Sequence, residues 1–430
     1  MNDGIEPDMC SLKYSSVDAA AEIIAHLGQG ALLAKIDIAH AYRNIPAHPQ
    51  DRHLLGMMWD SSLYVDTVLP FGLRSAPKIF SLIADTLEWI LIHRGVKYLI
   101  HYLDDFLTAG SPNSKECYEN LRQLTQVCQK LGLPLAMEKV EGPVSILVFL
   151  GILLNSTKMT MKLPPDKLAE IKLLIHQWLH KKAATKREML SLIGHLAYAT
   201  KVVTPGRTFL RRMIELSTSC KKLDRYIRFN SDFHSDLLWW HFFLDQWNGV
   251  SCLKTHTKHN PDFIMFTDAS GHWGCGAIQA PFWFHYAWSV AWHDLAIATK
   301  EMLPIVMAVA LWGRRWTKSH MLVKCDNMAV VNILHSQTSK EPVIMHLLRS
   351  LHFFLPYWDI RLWAEHVPGK ENIAADELSH NLQVFHNQVS NANQEGTAIP
   401  QALVELLVSQ RPDWASPNWR HKFRNLLTVV

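Results

Sequence analysis

The sequence has few cysteines, no long apolar run and only a small excess of positive charge. Its 430 residues include seven cysteines, an odd number without a Cys-x-x-Cys pair, which argues against a disulfide scaffold and against a zinc ribbon. No apolar run reaches the length of a transmembrane helix, and the acidic, polar residues 1–6 do not resemble a signal peptide. We therefore expect an intracellular protein without a membrane-spanning segment.

The composition is that of a globular protein, but the charge is unevenly distributed. With 48% hydrophobic and 19% charged residues, the chain can bury sizeable cores and is long enough for two to four domains. The net charge is +4, yet residues 181–228 alone contain twelve Lys or Arg and three acids. Such a basic segment is typical either of a solvated helical face or of a surface that binds a polyphosphate.

Residues 97–107 are the most informative stretch, because apolar and aromatic residues flank two adjacent carboxylates. The pattern predicts a hairpin of two short strands with its turn at Leu103-Asp104-Asp105. Adjacent anions among apolar neighbours repel each other and lose hydration, and a divalent cation removes that penalty. The turn is therefore a candidate site for Mg²⁺ or Mn²⁺, and the alternative is an ordinary exposed turn.

A third carboxylate lies near the end of a predicted buried strand. Residues 31–39 are apolar apart from Lys35 and Asp37. An acid in such a strand is costly unless it binds something, which makes Asp37 the expected third ligand beside Asp104 and Asp105. The alternative is an aspartate that caps the following turn.

The remaining pattern up to residue 250 predicts mostly helices. Residues 53–68 alternate loosely as two strands, and helices are expected over 77–92 and 115–131. A strand pair is expected around 135–139 and 146–154. Residues 164–250 are expected to be entirely helical, with a capping box at Thr185 and Glu188 and with tryptophans that pack in the core.

Four segments resemble, in order, the palm motifs of reverse transcriptases. They are Asp-Ile-Ala-His-Ala-Tyr at 37–42, Leu-Pro-Phe-Gly at 69–72, Tyr-Leu-Asp-Asp at 102–105, and Lys139 followed by Phe-Leu-Gly at 149–151. The surrounding sequence most resembles retrotransposons that carry tyrosine recombinases, the DIRS-like group. The resemblance implies an RNA-directed DNA polymerase.

This resemblance implies a role for each palm residue. Asp37 and Asp104, supported by Asp105, would hold two metal ions, Mg²⁺ or Mn²⁺. Lys139 would protonate the departing pyrophosphate. The expected partners are an RNA template, a DNA primer and deoxynucleoside triphosphates.

Four further residues are expected to contact the substrate. Tyr42 would stack beneath the sugar and exclude a 2′-hydroxyl by its bulk, although it could instead be a packed core aromatic. Phe71 and Gly72 would face the templating base and the incoming nucleotide. Tyr102, which precedes the carboxylate turn, is placed in the same substrate-binding set.

A second pattern of acids at strand ends begins at residue 263. Strands are predicted at 263–270, 274–278, 282–288, 320–325 and 361–366. Asp268 and Asp326 lie at the ends of two of them, and Glu301 lies in the first turn of a helix from about residue 299, where Pro304 is tolerated. Asp376 follows the fifth strand.

This order of elements resembles the RNase H fold. Asp268, Glu301, Asp326 and Asp376 match its four carboxylates, and His366 lies ten residues before Asp376, as in the retroviral type. The resemblance implies two Mg²⁺ or Mn²⁺ ions at this second site and cleavage of the RNA strand of an RNA–DNA hybrid. His366 would assist proton transfer or product release.

Together these patterns predict an α+β multidomain chain. We expect a reverse-transcriptase palm with partial fingers over 1–163, a helical thumb or connection over 164–260, an α/β RNase H-like domain with a mixed five-stranded sheet over 261–381, and a linker or tail over 382–430. The basic residues expected to follow the nucleic-acid backbone are Lys181, Lys182, Lys186, Arg187, Arg207, Arg211 and Arg212. The oligomeric state is left open.

The resemblance also implies a chain cut at both ends. Relatives carry basic finger strands before the palm, whereas Lys13 and Lys35 are the only lysines before Asp37 here, and a recombinase would follow in DIRS-like polyproteins. Three hypotheses remain: a reverse transcriptase with RNase H, a nuclease with an idle palm, and a non-catalytic nucleic-acid-binding remnant. The seven intact metal-site carboxylates count against the third. By analogy, the protein would act in the cytoplasm, the nucleus or both.

Overall fold

The computed structural model describes residues 2–12, 14–246, 250–252, 261–358, 360–380, 382–389 and 395–408. These residues form two compact units. The first unit contains the described residues up to 168 together with 250–252, and the second contains 169–246 and the described residues from 261 onward. The predicted helical segment 164–260 is therefore divided between the units, and most of it belongs to the second.

The helices in the described residues are numbered in chain order. They are α1 Val17–Leu27, α2 Ala76–His93, α3 Glu116–Leu131, α4 Pro165–Leu179, α5 Lys186–Ala199, α6 Arg211–Thr218, α7 Ser231–Gln246, α8 Ile297–Trp312, α9 Met328–Ser336, α10 Pro342–Tyr357, α11 Ile373–His380, α12 Leu382–Val389 and α13 Gln401–Val408. In this part of the chain, no helix is both long and apolar enough to cross a membrane.

The strands in the same residues are numbered likewise. They are β1 Leu32–Asp37, β2 Gly56–Trp59, β3 Ser62–Val65, β4 Leu99–Tyr102, β5 Asp105–Gly110, β6 Glu141–Val144, β7 Ile146–Phe149, β8 Ile152–Asn155, β9 Thr160–Lys162, β10 Ala183–Thr185, β11 Tyr226–Arg228, β12 Val250–Cys252, β13 Phe263–Ala269, β14 Gly274–Gln279, β15 Phe282–Ala287, β16 His320–Cys325, β17 Arg361–His366 and β18 Glu395–Gly396. The described residues thus combine many helices with several sheets, as expected for the predicted α+β chain.

The first unit is built on an antiparallel sheet of order β4-β5-β1-β6. Helices α2 and α3 cover it, because Phe80, Leu87 and Leu124 on their apolar faces are buried in one cluster with Ile36 and Phe106 of the sheet. A second sheet of order β12-β9-β8-β7 and the β2–β3 hairpin complete the described sheets of this unit. The first sheet holds the ends of β1 and β5 in fixed register.

The second unit is built on a mixed sheet of order β17-β16-β13-β14-β15-β18. Strands β13, β16 and β17 run parallel to one another, and β14 is antiparallel to β13 and β15. Helix α8 packs between this sheet and α10, and all its residues from Thr299 to Trp312 are buried. Beyond Thr299, Lys300 and Glu301, the helix is apolar on all sides, which fits such a central position.

Two local predictions in the first unit are wrong. Met137–Lys139 is a 3₁₀ helix, and Leu135 forms only an isolated bridge with Ile38. The single strand expected over 146–154 is instead the β7–β8 hairpin, which turns at Leu150 and Gly151 with φ of 47° and 76°. The apolar run continues through this turn, so periodicity alone did not reveal it.

For residues 164–312, two predictions need correction and one is confirmed. The segment 164–250 is not entirely helical, because β10 and β11 pair antiparallel, with Ala184 and Ile227 buried. The capping box of Thr185 and Glu188 is present. Helix α8 begins at Ile297, earlier than expected, so Glu301 lies in its second turn and Pro304 in its interior.

The segment after residue 381 is not simply a linker or tail. Strand β18 pairs with β15 and makes the predicted five-stranded sheet six-stranded. Leu403, Val404 and Leu407 of α13 are buried in the core of the second unit. Their i, i+1, i+4 spacing was a weak signal beside a stretch rich in Asn and Gln. Residues 247–249 and 253–260 of the predicted thumb or connection, and residues 390–394 and 409–430 of the predicted linker or tail, lie outside the described residues.

Candidate active sites

The first candidate site lies where β1 and β5 meet the β4–β5 turn. Asp37 and Asp105 are direct cross-strand partners, and Asp104 lies in the two-residue turn between β4 and β5. The Ile38 amide donates to the Asp104 carbonyl over 3.0 Å, which holds the turn against the end of β1. Leu103 enters the turn with φ of 54°, a left-handed conformation that costs a branched residue about 1 kcal/mol or more. The structure thus brings the three predicted palm carboxylates together.

One lysine partly neutralises this group of carboxylates. Lys139 Nζ lies 2.9 Å from Asp37 Oδ2. Lys139 belongs to the 3₁₀ turn Met137–Lys139, and its backbone amide donates to the Ala136 carbonyl. The hydrogen bond and charge of Asp37 raise the pKa of Lys139. Burial, together with Asp104 and Asp37, raises the pKa of Asp105 to about 6, and burial raises the pKa of Asp104. Raised carboxylate pKa values indicate a site with too little positive charge of its own.

The predicted substrate-binding residues lie around this turn. The rings of Tyr42 and Phe71 are 5.3 Å apart, and Tyr42 also packs edge-on against Phe80 at 5.7 Å. Burial, followed by the charge of Asp104, raises the pKa of Tyr42. Phe71 is 66% exposed, and Gly72 has φ of 83° with open space where a Cβ would lie. Tyr102 ends β4 and stacks near Tyr14 at 4.9 Å.

The second candidate site gathers acids from four elements of the second unit. Asp268 comes from β13, Glu301 from α8, Asp326 from the end of β16, and Asp376 from α11. Donor atoms of Asp268, Asp376 and His380 lie within 4.8 Å of one another. A second such group consists of donor atoms of Glu301, Cys325 and Asp326.

A close approach of α11 to the sheet makes this convergence possible. Gly276 of β14 is the cross-strand partner of Asp268, and a Cβ at this position would lie 2.5 Å from Leu378 Cβ of α11. Only glycine therefore lets the helix approach this closely. Asn372 fixes the start of α11, because its Nδ2 donates to the Thr267 carbonyl over 3.0 Å and its own carbonyl accepts the Asp376 amide.

Burial dominates the electrostatics of the second site. Asp268 and Glu301 are each 4% exposed. Burial, with neighbouring carboxylates, raises the pKa of Glu301 to about 9 and that of Asp268 to about 6, and burial also raises the pKa of Asp326. In the part of the chain that the structure describes, no lysine or arginine forms an ion pair with the four acids. The adjacent Lys300 instead donates to the Gly271 and His293 carbonyls over 2.6 and 2.9 Å.

Both sites offer the donors that a hard divalent cation prefers. Buried or half-buried carboxylates that lack a cationic partner are costly, and Mg²⁺ or Mn²⁺ ligated by their oxygens would remove that cost. The donor sets therefore fit the predicted metal ions at both sites.

The structure adds three residues to the second site that the sequence analysis missed. Ser379 Oγ donates to Asp268 Oδ2 and lies 2.8 Å from His380 Nδ1. Cys325 Sγ lies 3.9 Å from Glu301 Oε2. The spacing of His380 four residues after Asp376 was a usable signal, since such residues share a helix face. The predicted His366 is nearby, with Nε2 3.0 Å from the Asp326 carbonyl.

Most of the predicted nucleic-acid-binding cations are engaged within the second unit. Four of them form ion pairs, namely Lys181 with Glu188, Arg187 with Asp224, Arg211 with Glu215, and Arg212 with both Asp232 and Asp236. Lys186 donates to the Cys220 carbonyl. Lys182 and Arg207 are exposed. Nearby acids therefore offset much of the local charge of this segment, and its nucleic-acid role stays a prediction.

Comparisons with known proteins agree with the first site. Residues 5–154 match the family described as reverse transcriptase (RNA-dependent DNA polymerase), a range that includes every predicted palm residue. Polyprotein P3 of Commelina yellow mottle virus is 23% identical over 409 residues, which cover 88% of this chain and 19% of that protein. The transposon Tf2-3 polyprotein of Schizosaccharomyces pombe is 25% identical over 383 residues, covering 83% of this chain and 26% of that protein.

Solved structures show a more distant likeness. The foamy viral protease-reverse transcriptase in complex with an RNA/DNA hybrid has a TM-score of 0.46 and 14% identity, covering 82% of this chain and 46% of that one. The chain spans less than half the length of the curated relatives named above. Residues 5–154 are thus similar to reverse transcriptases, most of the chain is similar to viral and transposon polyproteins, and the DIRS-like assignment stays a prediction.

Proposed function

We propose that the chain is an RNA-directed DNA polymerase with RNase H activity that serves the replication of a retrotransposon of the DIRS-like group. The observation that carries the polymerase part is the register of Asp37 opposite Asp105, with Asp104 in the adjoining turn, inside the segment that matches the reverse transcriptase family. The observation that supports the nuclease part is the convergence of four acids from separate elements. By analogy, the protein would act inside the cell, in the cytoplasm or nucleus.

In the palm, the residues of this chain would position the metal ions and the nucleotide and would neutralise the charge of the leaving pyrophosphate. Asp37 and Asp104, supported by Asp105, would hold two divalent ions, whose contribution when bound is to stabilise the attacking 3′-oxygen and the leaving pyrophosphate. Lys139 lies 2.9 Å from Asp37 and would deliver a proton to the pyrophosphate. Tyr42, packed between Phe71 and Phe80, presents a fixed ring that would exclude a 2′-hydroxyl.

In the second unit, the four acids would hold two further ions, whose contribution when bound is to activate water and stabilise the leaving 3′-oxygen. His366 lies beside Asp326 and could carry a proton to or from the cleaved strand. Gly276 and Asn372 would not take part in the reaction itself but would position Asp376, because they hold α11 close to β13. The substrate would be the RNA strand of an RNA–DNA hybrid.

A paired assay on the purified full chain tests this proposal. One arm extends a DNA primer on an RNA template, and the other cleaves a labelled RNA–DNA hybrid, each with Mg²⁺ or Mn²⁺. Asp104→Asn should lower extension by more than about 100-fold and leave cleavage intact, and Asp326→Asn should do the reverse. Both substitutions keep the side-chain volume, so each serves as the folding control for the other.

Other outcomes would select another hypothesis. Cleavage without extension would indicate a nuclease with an idle palm. Hybrid binding without either activity would indicate a non-catalytic remnant. Extension that survives Asp104→Asn would contradict the assignment of the palm site.

A further inference from the structure

The last turn of α11 brings an imidazole to two of the four acids in the second unit. His380 Nδ1 lies 3.3 Å from Asp376 Oδ1, and one donor atom each from Asp268, Asp376 and His380 lies within 4.8 Å of the other two. Two adjacent ligands of an octahedral ion with bonds of about 2.1 Å are separated by about 3.0 Å. The imidazole and the carboxylate are therefore spaced much like two ligands that share one ion.

Ser379 joins the three side chains into one group. Its hydroxyl donates to Asp268 Oδ2 and lies 2.8 Å from His380 Nδ1. The bond to Asp268 orients that carboxylate before an ion binds. Because the serine proton is used there, the hydroxyl oxygen accepts from His380 Nδ1–H, and an ion at this nitrogen would replace that proton. The side chains of His380 and Asp376 are 49% and 56% exposed, so an ion with its water ligands can reach them without any opening of the core.

We propose that His380 is a ligand of the divalent ion bound by Asp268 and Asp376, and that it gives this position a preference for Mn²⁺ over Mg²⁺. The inference rests on the proposed nuclease function of this centre. Both ions take oxygen ligands, but Mg²⁺ loses its water reluctantly, whereas Mn²⁺, the weakest binder of the first-row transition series, accepts a nitrogen ligand more readily than Mg²⁺ does. The predicted ligands of the palm, Asp37, Asp104 and Asp105, are all carboxylates, so the palm should show no such preference.

A purely structural role for His380 makes a different prediction. Its Nδ1 also lies 3.1 Å from the Asp376 carbonyl, as a residue that stabilises the C-terminal end of a helix would. Loss of such a contact would lower stability without changing the relative affinities for Mn²⁺ and Mg²⁺. The ratio of the two affinities therefore distinguishes the two roles.

The test uses the full chain with Asp37→Asn and Asp104→Asn, which weaken ion binding in the palm. Pulsed electron paramagnetic resonance of bound Mn²⁺ should show coupling to an imidazole nitrogen. Both His380→Ala and His380→Gln should abolish that coupling and weaken Mn²⁺ binding by about tenfold or more, with Mg²⁺ affinity nearly unchanged. The matched control His366→Ala should keep the coupling, since His366 lies beside Asp326 rather than Asp376.

Persistence of the coupling in both His380 variants, or its loss only in His366→Ala, would overturn the assignment. An equal fall in the affinities for both ions would also overturn it. Hybrid cleavage by the same proteins separates this inference from the proposed function. If the chain cleaves the hybrid but the coupling is unchanged in the His380 variants, His380 is not a ligand and the nuclease function stands. If the coupling is lost in the His380 variants but the chain never cleaves the hybrid, His380 is a ligand and the nuclease function is rejected.

Discussion

The two carboxylate centres solve the same electrostatic problem in different ways. In the first unit, Lys139 lies 2.9 Å from Asp37 and supplies a positive charge next to the acids. In the second, Asp268 and Glu301 are each 4% exposed, and within the described residues their neighbours are other carboxylates, a serine, a thiol and the imidazole of His380 rather than a lysine or an arginine. The first centre is thus partly neutralised by its own chain, while the second depends on protonation or on a bound cation.

The second unit nevertheless uses arginine elsewhere to neutralise a buried acid. Asp236 of α7 is fully buried, with its carboxylate 3.3 Å from Arg349 Nε of α10 and 3.4 Å from Arg212 Nη1 of α6. Burial raises the pKa of Asp236 to about 6, and the two guanidinium groups oppose that shift. The contrast within one unit indicates that the uncompensated acids of the candidate site are a functional feature, since a structural acid nearby is given cationic partners.

The largest effect on stability is expected from breaking this buried ion network. Asp236→Ala leaves Arg349, which is 2% exposed, without its carboxylate, and we expect the second unit to lose about 3–5 kcal/mol of unfolding free energy in urea titrations. Asp224→Ala, which removes the exposed partner of Arg187, is the matched control and should have little effect. Equal losses of unfolding free energy in the two variants would show that the buried ion pairs contribute no more to stability than an exposed one.

A divalent cation should stabilise the second centre more than the first. A ligand at 100 times its dissociation constant adds about 2.7 kcal/mol to the folded state. With Mn²⁺, we expect slower hydrogen exchange in β13 and α8, and this protection should disappear in Asp268→Asn. Protection confined to the β4–β5 hairpin would contradict the comparison, because the centre that contains Lys139 would then be the one that needs the cation.

A substitution of Lys139 tests whether the first centre depends on the positive charge that its own chain supplies. If its charge serves the palm chemistry, Lys139→Gln should slow primer extension by about 100-fold and leave hybrid cleavage unchanged. Lys35→Gln is the matched control, because Lys35 lines the same cleft but pairs with Glu141 at 3.0 Å. Comparable losses in the two variants would point to a general effect of charge in the cleft.

Buried histidines in the two units should contribute to acid stability in opposite directions. Burial lowers the pKa of His101 in β4, but Glu88 and Asp85 of α2 raise it by more, so the net pKa is raised. A raised histidine pKa adds stability below its unfolded value near 6.5 that is lost as the pH rises through the folded value. We expect about 1 kcal/mol from His101, which His101→Gln should remove.

Two buried histidines of the second unit contribute the reverse dependence. Burial lowers the pKa of both His346 and His352 of α10 to about 4. Between pH 6.5 and 4 the unfolded chain binds protons that the folded unit refuses, so stability falls by up to about 1.4 kcal/mol per pH unit for each histidine. The raised pKa values of Glu301, Asp268 and Asp236 act in the opposite sense, so the measurement compares the chain with its His346→Gln and His352→Gln variants at pH 5 and pH 7.5. The variants should lose less stability at pH 5, and an identical pH dependence would contradict the prediction.

Several elements and their acids could be predicted from the sequence because their causes are local. The apolar runs around Asp37 and Asp104-Asp105 predict strands with charged ends, and the structure places these residues at the end of β1 and in the β4–β5 turn. The capping box at Thr185 and Glu188 is likewise local, since its reciprocal hydrogen bonds span three residues. In each unit, the structure also brings the predicted carboxylates from separate strands and helices towards one centre.

Only the tertiary structure decided how these acids are neutralised and which further residues surround them. The contact of Lys139 with Asp37 spans 102 residues, and the bond of Ser379 to Asp268 spans 111. The same holds for α13, whose place in the core depends on packing with residues spread from Met265 to Ala364. Residue patterns record the propensity of a segment, whereas burial, ion pairing and the sixth strand depend on long-range packing that no local window contains.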